Sequence, residues 1–504
     1  MWCRIELNTF SFLKQNQLTA FKKLFKQTFI YGLATVLPRM LTFLLVPLYT
    51  TVLAVEGYGE FSLIFSWIIF FNVILAYGME TAFFRFFHKE PDQRKVVSTA
   101  TISLTLSSLL FLVLGFLFYD GLAMVMGIHK DYLLYTLLIL VFDALVVIPF
   151  AWLRAQEKPK KYAVLKILNV AVNLGLNVFL LLLLPKLATN NPDSFWQSLY
   201  IPNFEISYAF ISFLIASGLT LLLLLPFYTK ATYSFDKQLW RRMMRYAFPV
   251  MIAGIAYAIN ETFDRILLEW LLPENIAERE IGLYAACYKL AVFMTLFATA
   301  FRLGIEPFFF SKATADNARE TYAQITRYFV ALGSVILITV VVFADLLKYI
   351  IIPKSTYWEA MDIVPLILIA NFCLGIYHNL SVLYKITDRT KFGAYISIAG
   401  AVLTLVINII LIPRISYMGS AIATVTAYGS MMLLSYYFGQ KYYKIPYNLK
   451  RILSYFFGAI LFSVLAFYTF RDNYFVRIPL WIAFVMWIAY SEKQLLKQLF
   501  TRKL

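Results

Sequence analysis

Cysteine and histidine are scarce, with three of each in 504 residues. Cys287 and Cys373 lie in apolar runs and Cys3 stands near the start, so neither a disulfide framework nor a zinc site is implied. His88, His129 and His378 are scattered, which argues against a metal centre. No glycine-rich loop of the kind that cradles phosphate occurs, so direct use of ATP is not expected. Charged residues make up only 14% of the chain, against roughly a quarter in soluble domains. The longest expected outer loop, from Pro185 to about Glu205, leaves no room for a folded catalytic domain outside the membrane. The expectation is a protein with no cofactor and no metal, and not an enzyme.

What is present is apolar surface. Hydrophobic residues form 61% of the sequence. Runs of about 20 such residues recur from end to end, each long enough to cross a bilayer as a helix. The expected fold is therefore an all-α polytopic membrane protein with about fourteen transmembrane helices. Residues 1–28 form a basic cytoplasmic N-terminus, either an amphipathic surface helix or a disordered tail. They lack the apolar core and cleavage site of a signal peptide. Six spans then fill 29–227, a cytoplasmic linker covers 228–245, and six more spans fill 246–438. Two further spans occupy 439–490, and a cytoplasmic tail runs over 491–504.

A net charge of +17 raises the question of nucleic acid, and its distribution answers it. With the N-terminus inside, 33 Lys and Arg fall on cytoplasmic segments and 8 on outer loops. This is the positive-inside pattern, and it puts both termini in the cytoplasm. No basic face is left for nucleic acid. Arg39, Arg265, Lys289 and Arg302 remain, all within spans, beside the acids Glu80, Asp143, Glu261, Asp264 and Glu306. An ionisable group at bilayer depth costs about 2.5–3.5 kcal/mol, so it faces a protein-lined cavity or a partner.

The chain also reads as if written twice. "EGYGEFSL" from Glu56 opens span two and "REIGLYAA" from Arg279 opens span eight, matching Gly59 with Gly282 and Phe61 with Tyr284. "LRAQEKPKKY" follows span four and "LYKITDRTKF" follows span ten. "LNVFLLLLLP" and "INIILIP" each place an Asn late in a span that ends at Pro. The matches lie six spans apart, an even number, so the two copies share one orientation as parallel repeats. Two six-helix lobes with a cavity between them are expected, the last two spans being an appendix. Pro38, Pro47, Pro149 and Pro249 mark candidate kinks within spans.

The stretches "NLSVLYKITDRTKFGAYISIAG" and "TLVINIILIPRISYMGSAIATVTAYGSMMLLSYYFGQKYYKIPY", with the earlier "LRAQEK", resemble bacterial polysaccharide biosynthesis proteins. These are oligosaccharide flippases of the multidrug/oligosaccharidyl-lipid/polysaccharide exporter superfamily. The resemblance covers the whole chain and is densest from Asn379 to Tyr447. It implies a V-shaped, MATE-like architecture in the bacterial inner membrane. It implies transfer of a polyprenyl-diphosphate-linked oligosaccharide from the cytoplasmic to the outer leaflet by alternating access. The implied partners are that substrate, membrane lipids and the polymerase and glycosyltransferases of the same glycan, around a monomeric protein. The related lipid II flippases carry an early Arg in span one, matched by Arg39, and then an Arg-Asp pair. Here Leu45 and Val46 stand at the pair's place, while Asp264 and Arg265 hold it in the second lobe, which argues against lipid II as cargo. A multidrug exporter of the same superfamily is the other reading.

A diphosphate crossing low dielectric needs cations with charge-assisted hydrogen bonds. Arg39, Lys289 and Arg265 are the candidate diphosphate contacts, with a salt bridge to an acid as the alternative for each. Glu261 and Arg265 are four apart and share a helix face, as do Asn260 and Asp264. That leaves Asp264 as the acid without a local partner, either a proton or sodium site or a tether across its lobe. Asp143 stands isolated in mid-span. Glu80 and Arg85, and Arg302 and Glu306, occupy the inner ends of spans two and eight, as interface pairs or an inner gate.

Overall fold

A computed structural model of the chain describes residues 40, 43–190, 193–229, 233–311, 317–386, 389 and 391–493. The described residues are overwhelmingly helical, and no strand occurs among them. Eleven of their helices are long and apolar enough to cross a membrane. Backbone groups in lipid must be bonded within their own segment, which is why long apolar runs become helices.

The first run is described from its C-terminal part, α1 (Leu45–Val52). The second is interrupted, as α2 (Val55–Ala76) and α3 (Met79–Lys89). Between them Tyr77 and Gly78 turn left-handed, at φ 32° and 72°. A Cβ on Gly78 would collide with the carbonyl oxygen of Ala247, so glycine serves both the dihedral and the close approach. Helices α4 (Gln93–Leu117), α5 (Lys130–Ala155), α6 (Pro159–Val178) and α7 (Glu205–Thr229) pack with α2 and α3 into a first group.

The second group begins with α8 (Lys237–Leu271), 35 residues long. Its cap, Asp236, accepts from the N–H groups of Leu239 and Gln238, both at 2.9 Å, and those bonds hold its carboxyl below the usual range. Four polar residues dilute the apolar run of α8, and it is not among the eleven. Then come α9 (Glu274–Tyr288), a 3₁₀ turn at Lys289–Ala291, and α10 (Val292–Ser311). Helices α11 (Ala318–Val342) and α12 (Val364–Ile386) follow. The 52-residue α13 (Lys391–Tyr442) doubles back at Ile415 and Ser416, where the hydropathy pattern separates spans eleven and twelve. Pro47, Pro149 and Pro249 sit inside α1, α5 and α8, away from the interruptions at Tyr77, Lys289 and Ile415, the last of which follows Pro413 by two residues; Pro38 lies outside the described residues.

The two groups, called lobes below, meet where α2 and α3 pack on α8 and α9. The repeated asparagines do the same work in each. Asn177 donates to the Asn173 carbonyl at 2.9 Å and accepts from the Tyr49 hydroxyl at 2.8 Å. Asn408 donates to the Thr404 carbonyl at 2.7 Å and accepts from Ser420 at 2.9 Å. A buried amide so satisfied ties two helices together without an orphan donor.

Helices α14 (Leu449–Val464) and α15 (Tyr474–Ser491) are pinned to α11 by two ionic knots. Arg477 of α15 is fully buried; it donates to Asp345 at 3.0 Å and to the carbonyls of Val341 and Val342 at the end of α11. Glu492 pairs with Arg327 at 3.2 Å and accepts from the Tyr455 hydroxyl at 2.9 Å. Arg477, counted from the sequence with the outer loops, lies inside a span. Arg477→Leu is expected to cost about 2–3 kcal/mol, because it orphans two buried carbonyls and one acid contact. Thermal unfolding of the detergent-purified protein measures it.

Candidate functional site

The polar residues of α8 spread around its axis. Asn260 faces α13, donating to the Ser397 carbonyl at 3.0 Å and accepting from Thr404 at 2.9 Å. Tyr428, also from α13, donates to the Asn260 carbonyl at 2.9 Å and to the Glu261 carboxylate at 3.2 Å. Asp264 and Arg265 face α9. Asp264 pairs with Arg265 at 3.1 Å and accepts from the Tyr284 hydroxyl at 2.6 Å. The Arg265 guanidinium lies 4.9 Å from the centre of the Tyr288 ring and 5.6 Å from that of Tyr284. Asp264 is therefore partnered, contrary to the sequence expectation. The guanidinium turns to the neighbouring carboxylate because that orientation also lays it over two aromatic faces.

Between the lobes lies a cavity of about 220 Å³. Tyr49, Tyr58 and Ser62 line it from the first lobe, and Glu261, Arg265 and Lys289 from the second. Lys289 opens the 3₁₀ turn that interrupts span eight. Among the described residues it has no ion-pair or hydrogen-bond partner. The set thus holds one cation bound into a carboxylate–tyrosine cage and one that feels the charge of Glu261 across the cavity without a close ion pair. A smaller pocket of about 70 Å³ lies within the second lobe, lined by Glu261, Arg302, Asn371 and His378. Glu261 borders both.

The lobes close on one another at the end where span two begins, the end that the charge asymmetry of the sequence is expected to place outside. Gly59 and Gly282 face one another there. A Cβ on Gly59 would collide with the Glu278 carbonyl, and one on Gly282 with that of Val55. Tyr357 donates to the carbonyls of Leu53 and Ala54 at 3.2 and 2.9 Å, and Trp270 to that of Val125 at 2.9 Å. At the opposite end Arg242 holds Glu90 through two bonds of 2.9 and 3.2 Å, and the Arg85 guanidinium sits 4.3 Å from the centre of the Tyr246 ring.

Of the expected site residues, the structure brings Arg265, Lys289 and Glu261 to one cavity. Arg39 lies outside the described residues, as does the side chain of Glu306. Asp143 accepts from Ser217 at 2.8 Å within the first lobe and does not line the interlobe cavity. Glu80 pairs with Arg154 of α5 at 2.5 Å, while Arg85 reaches across to the other lobe, so the two do not act as one pair. Arg302 lines the smaller pocket. The sequence reading passed over Tyr284, Tyr288 and Tyr428, which bind the charges of α8. A signal existed, since the repeat aligns Tyr284 with Phe61 and the spacing puts Tyr288 on the same helix face.

Residues 24–300 match the family described as polysaccharide biosynthesis protein. No curated protein matches the chain. Among solved structures, lipid II flippase MurJ in an inward closed conformation aligns over 93% of this chain and 100% of its own, with TM-score 0.72 and 15% identity. An inward-facing multidrug resistance MATE family transporter of the MOP superfamily aligns over 85% of this chain and 95% of its own, with TM-score 0.61 and 12% identity. The Vibrio cholerae MATE transporter VcmN in its bent form aligns over 88% and 98%, with TM-score 0.54 and 16% identity. At such identities the likeness is one of fold. Since the family match covers more than half of the sequence, the chain belongs to the polysaccharide biosynthesis protein family.

Proposed function

We propose that this protein is a flippase that turns a polyprenyl-diphosphate-linked oligosaccharide from the cytoplasmic to the outer leaflet of the bacterial inner membrane. The observation that carries the reading is Lys289, a cation with no close ion pair or hydrogen bond among the described residues, beside Arg265 in a cavity between two lobes. Burying an unpaired charge is expensive unless an anion arrives to bind it. A lipid diphosphate is such an anion, and Tyr58 and Ser62 offer hydroxyls, and Tyr49 and Tyr58 ring faces, of the kind that glycans use. A cavity of about 220 Å³ is below the roughly 300–1,000 Å³ of small-molecule sites, so the lobes must part to admit the head group. Likeness to both lipid II flippase MurJ and MATE transporters supports alternating access on this fold. In this reading Asp264 and Asn260 brace α8, and Glu261, on the border of two cavities, is the candidate for ion coupling. The protein acts as a monomer with both termini in the cytoplasm, alongside the polymerase and glycosyltransferases of its glycan.

Deleting the gene tests this. Surface glycan is expected to disappear while its lipid-linked precursor accumulates on the cytoplasmic side. Normal surface glycan together with heightened drug sensitivity would assign the chain to multidrug export instead.

A further inference from the structure

A cavity of about 730 Å³ opens at the cytoplasmic end of the first lobe, away from the interlobe cavity. Three cations border it: Arg94 at the start of α4, and Lys158 and Lys161 at the start of α6. Its apolar wall includes Trp152, Leu223 and Phe227 from the ends of α5 and α7. Lys158 lies 4.7 Å from the centre of the Trp152 ring. Arg94 and Lys161 have no ion-pair partner among the described residues. The first turn of α6, with no side-chain cap, adds the positive end of its dipole. Positive-inside topology accounts for basic residues in these loops, but not for a concavity that gathers three of them over an apolar floor.

We propose that this cavity binds an anionic phospholipid of the cytoplasmic leaflet, its phosphate among Arg94, Lys158 and Lys161 and its glycerol and first methylenes on the Trp152 wall. Basic pockets between transmembrane helices on the cytoplasmic side suit such head groups. Every lining residue comes from 87–227, with none from the second lobe. A cargo that must pass between the lobes has no route through it, so the occupant is a resident lipid rather than the transported diphosphate. The site adjoins the Glu80–Arg154 pair, because Leu153 lines it. A bound lipid therefore holds α5 where that pair forms. This assignment is independent of the identity of the cargo.

The test compares the full-length wild type with a variant carrying Arg94→Gln, Lys158→Gln and Lys161→Gln. A control carries Lys237→Gln, Arg241→Gln and Lys444→Gln, which remove the same charge from exposed cytoplasmic positions. Each protein is purified, checked for a single symmetric peak, and titrated with phosphatidylglycerol in phosphatidylcholine nanodiscs, bound lipid being read by native mass spectrometry. About fivefold per cation is expected, so the three together weaken phosphatidylglycerol binding about a hundredfold, while the control stays near wild type. Equal losses in variant and control would reduce the effect to general surface charge and overturn the site. Displacement of phosphatidylglycerol by undecaprenyl diphosphate, in wild type but not in the pocket variant, would give the cavity to the cargo and overturn it as well.

Discussion

Lys289→Met is expected to abolish rescue of surface glycan in the deletion strain while the protein stays in the membrane at its normal level. Methionine keeps the length and most of the volume of the side chain and removes its charge. No close ion pair is broken by the change, because Lys289 has none among the described residues; Glu261, across the same cavity, loses a nearby positive charge but keeps its bond from Tyr428. What is lost is a charge-assisted contact to the incoming anion, worth about 1.5–3 kcal/mol, or roughly tenfold to a hundredfold in transport. Arg265→Ala should behave differently. It leaves Asp264 buried without its counter-charge, held only by the Tyr284 hydroxyl and the backbone N–H of residue 265, and breaking a buried pair in this way costs about 3–5 kcal/mol. That variant should unfold earlier and be depleted from the membrane, so its loss of transport would carry no message about the substrate. The pair of variants separates a binding cation from a bracing one. Glycan export by Lys289→Met at the wild-type rate would leave the interlobe cavity without an anion-binding role.

The contrast between Lys289 and Arg265 also shows where sequence reasoning stops. Both cations were visible at bilayer depth, since the cost of burying charge makes such residues conspicuous in an apolar chain. The helical segments and the repeat were visible for similar reasons. Lipid imposes helices on apolar runs, and Asn177 and Asn408 stand out because buried amides need partners. Partner choice was not visible. Spacing of four along α8 pointed Arg265 at Glu261, whereas the structure ties it to Asp264, because the aromatic faces that decide the matter belong to α9. Glu80 likewise meets Arg154, 74 residues away, and no local periodicity announces that. Arg477 falls near the start of its span, so by position alone it counts with the outer loop. Its burial follows from α15 packing on α11, whose terminal carbonyls need a donor. Interlobe cavities depend on two surfaces at once, so one helix read by itself does not reveal them.

Gly282→Leu should wedge the outer seal open. Gly59 and Gly282 hold corresponding places in the two repeats, and each lets a helix of one lobe rest on the backbone of the other. Both colliding atoms are main-chain carbonyls, which cannot swing aside as a flexible side chain does. Overpacking a tight contact costs typically about 1–3 kcal/mol. Here it is charged only to the closed state, because parting the lobes removes the clash. The balance between closed and outward-open forms should therefore move by about fivefold to a hundredfold toward the open one. Ser62 lines the cavity just inside the seal, so a Ser62→Cys reporter reads the change. A membrane-impermeant maleimide added from outside should modify that cysteine about fivefold to a hundredfold faster in the Gly282→Leu background. Glycan export should fall at the same time, since a transporter that cannot reseal cannot reset. Gly59→Leu should act in the same direction, because the clash is reciprocal. Unchanged labelling with either variant would mean that the lobes are sealed elsewhere, at Tyr357 or Trp270, and that the paired glycines serve packing alone.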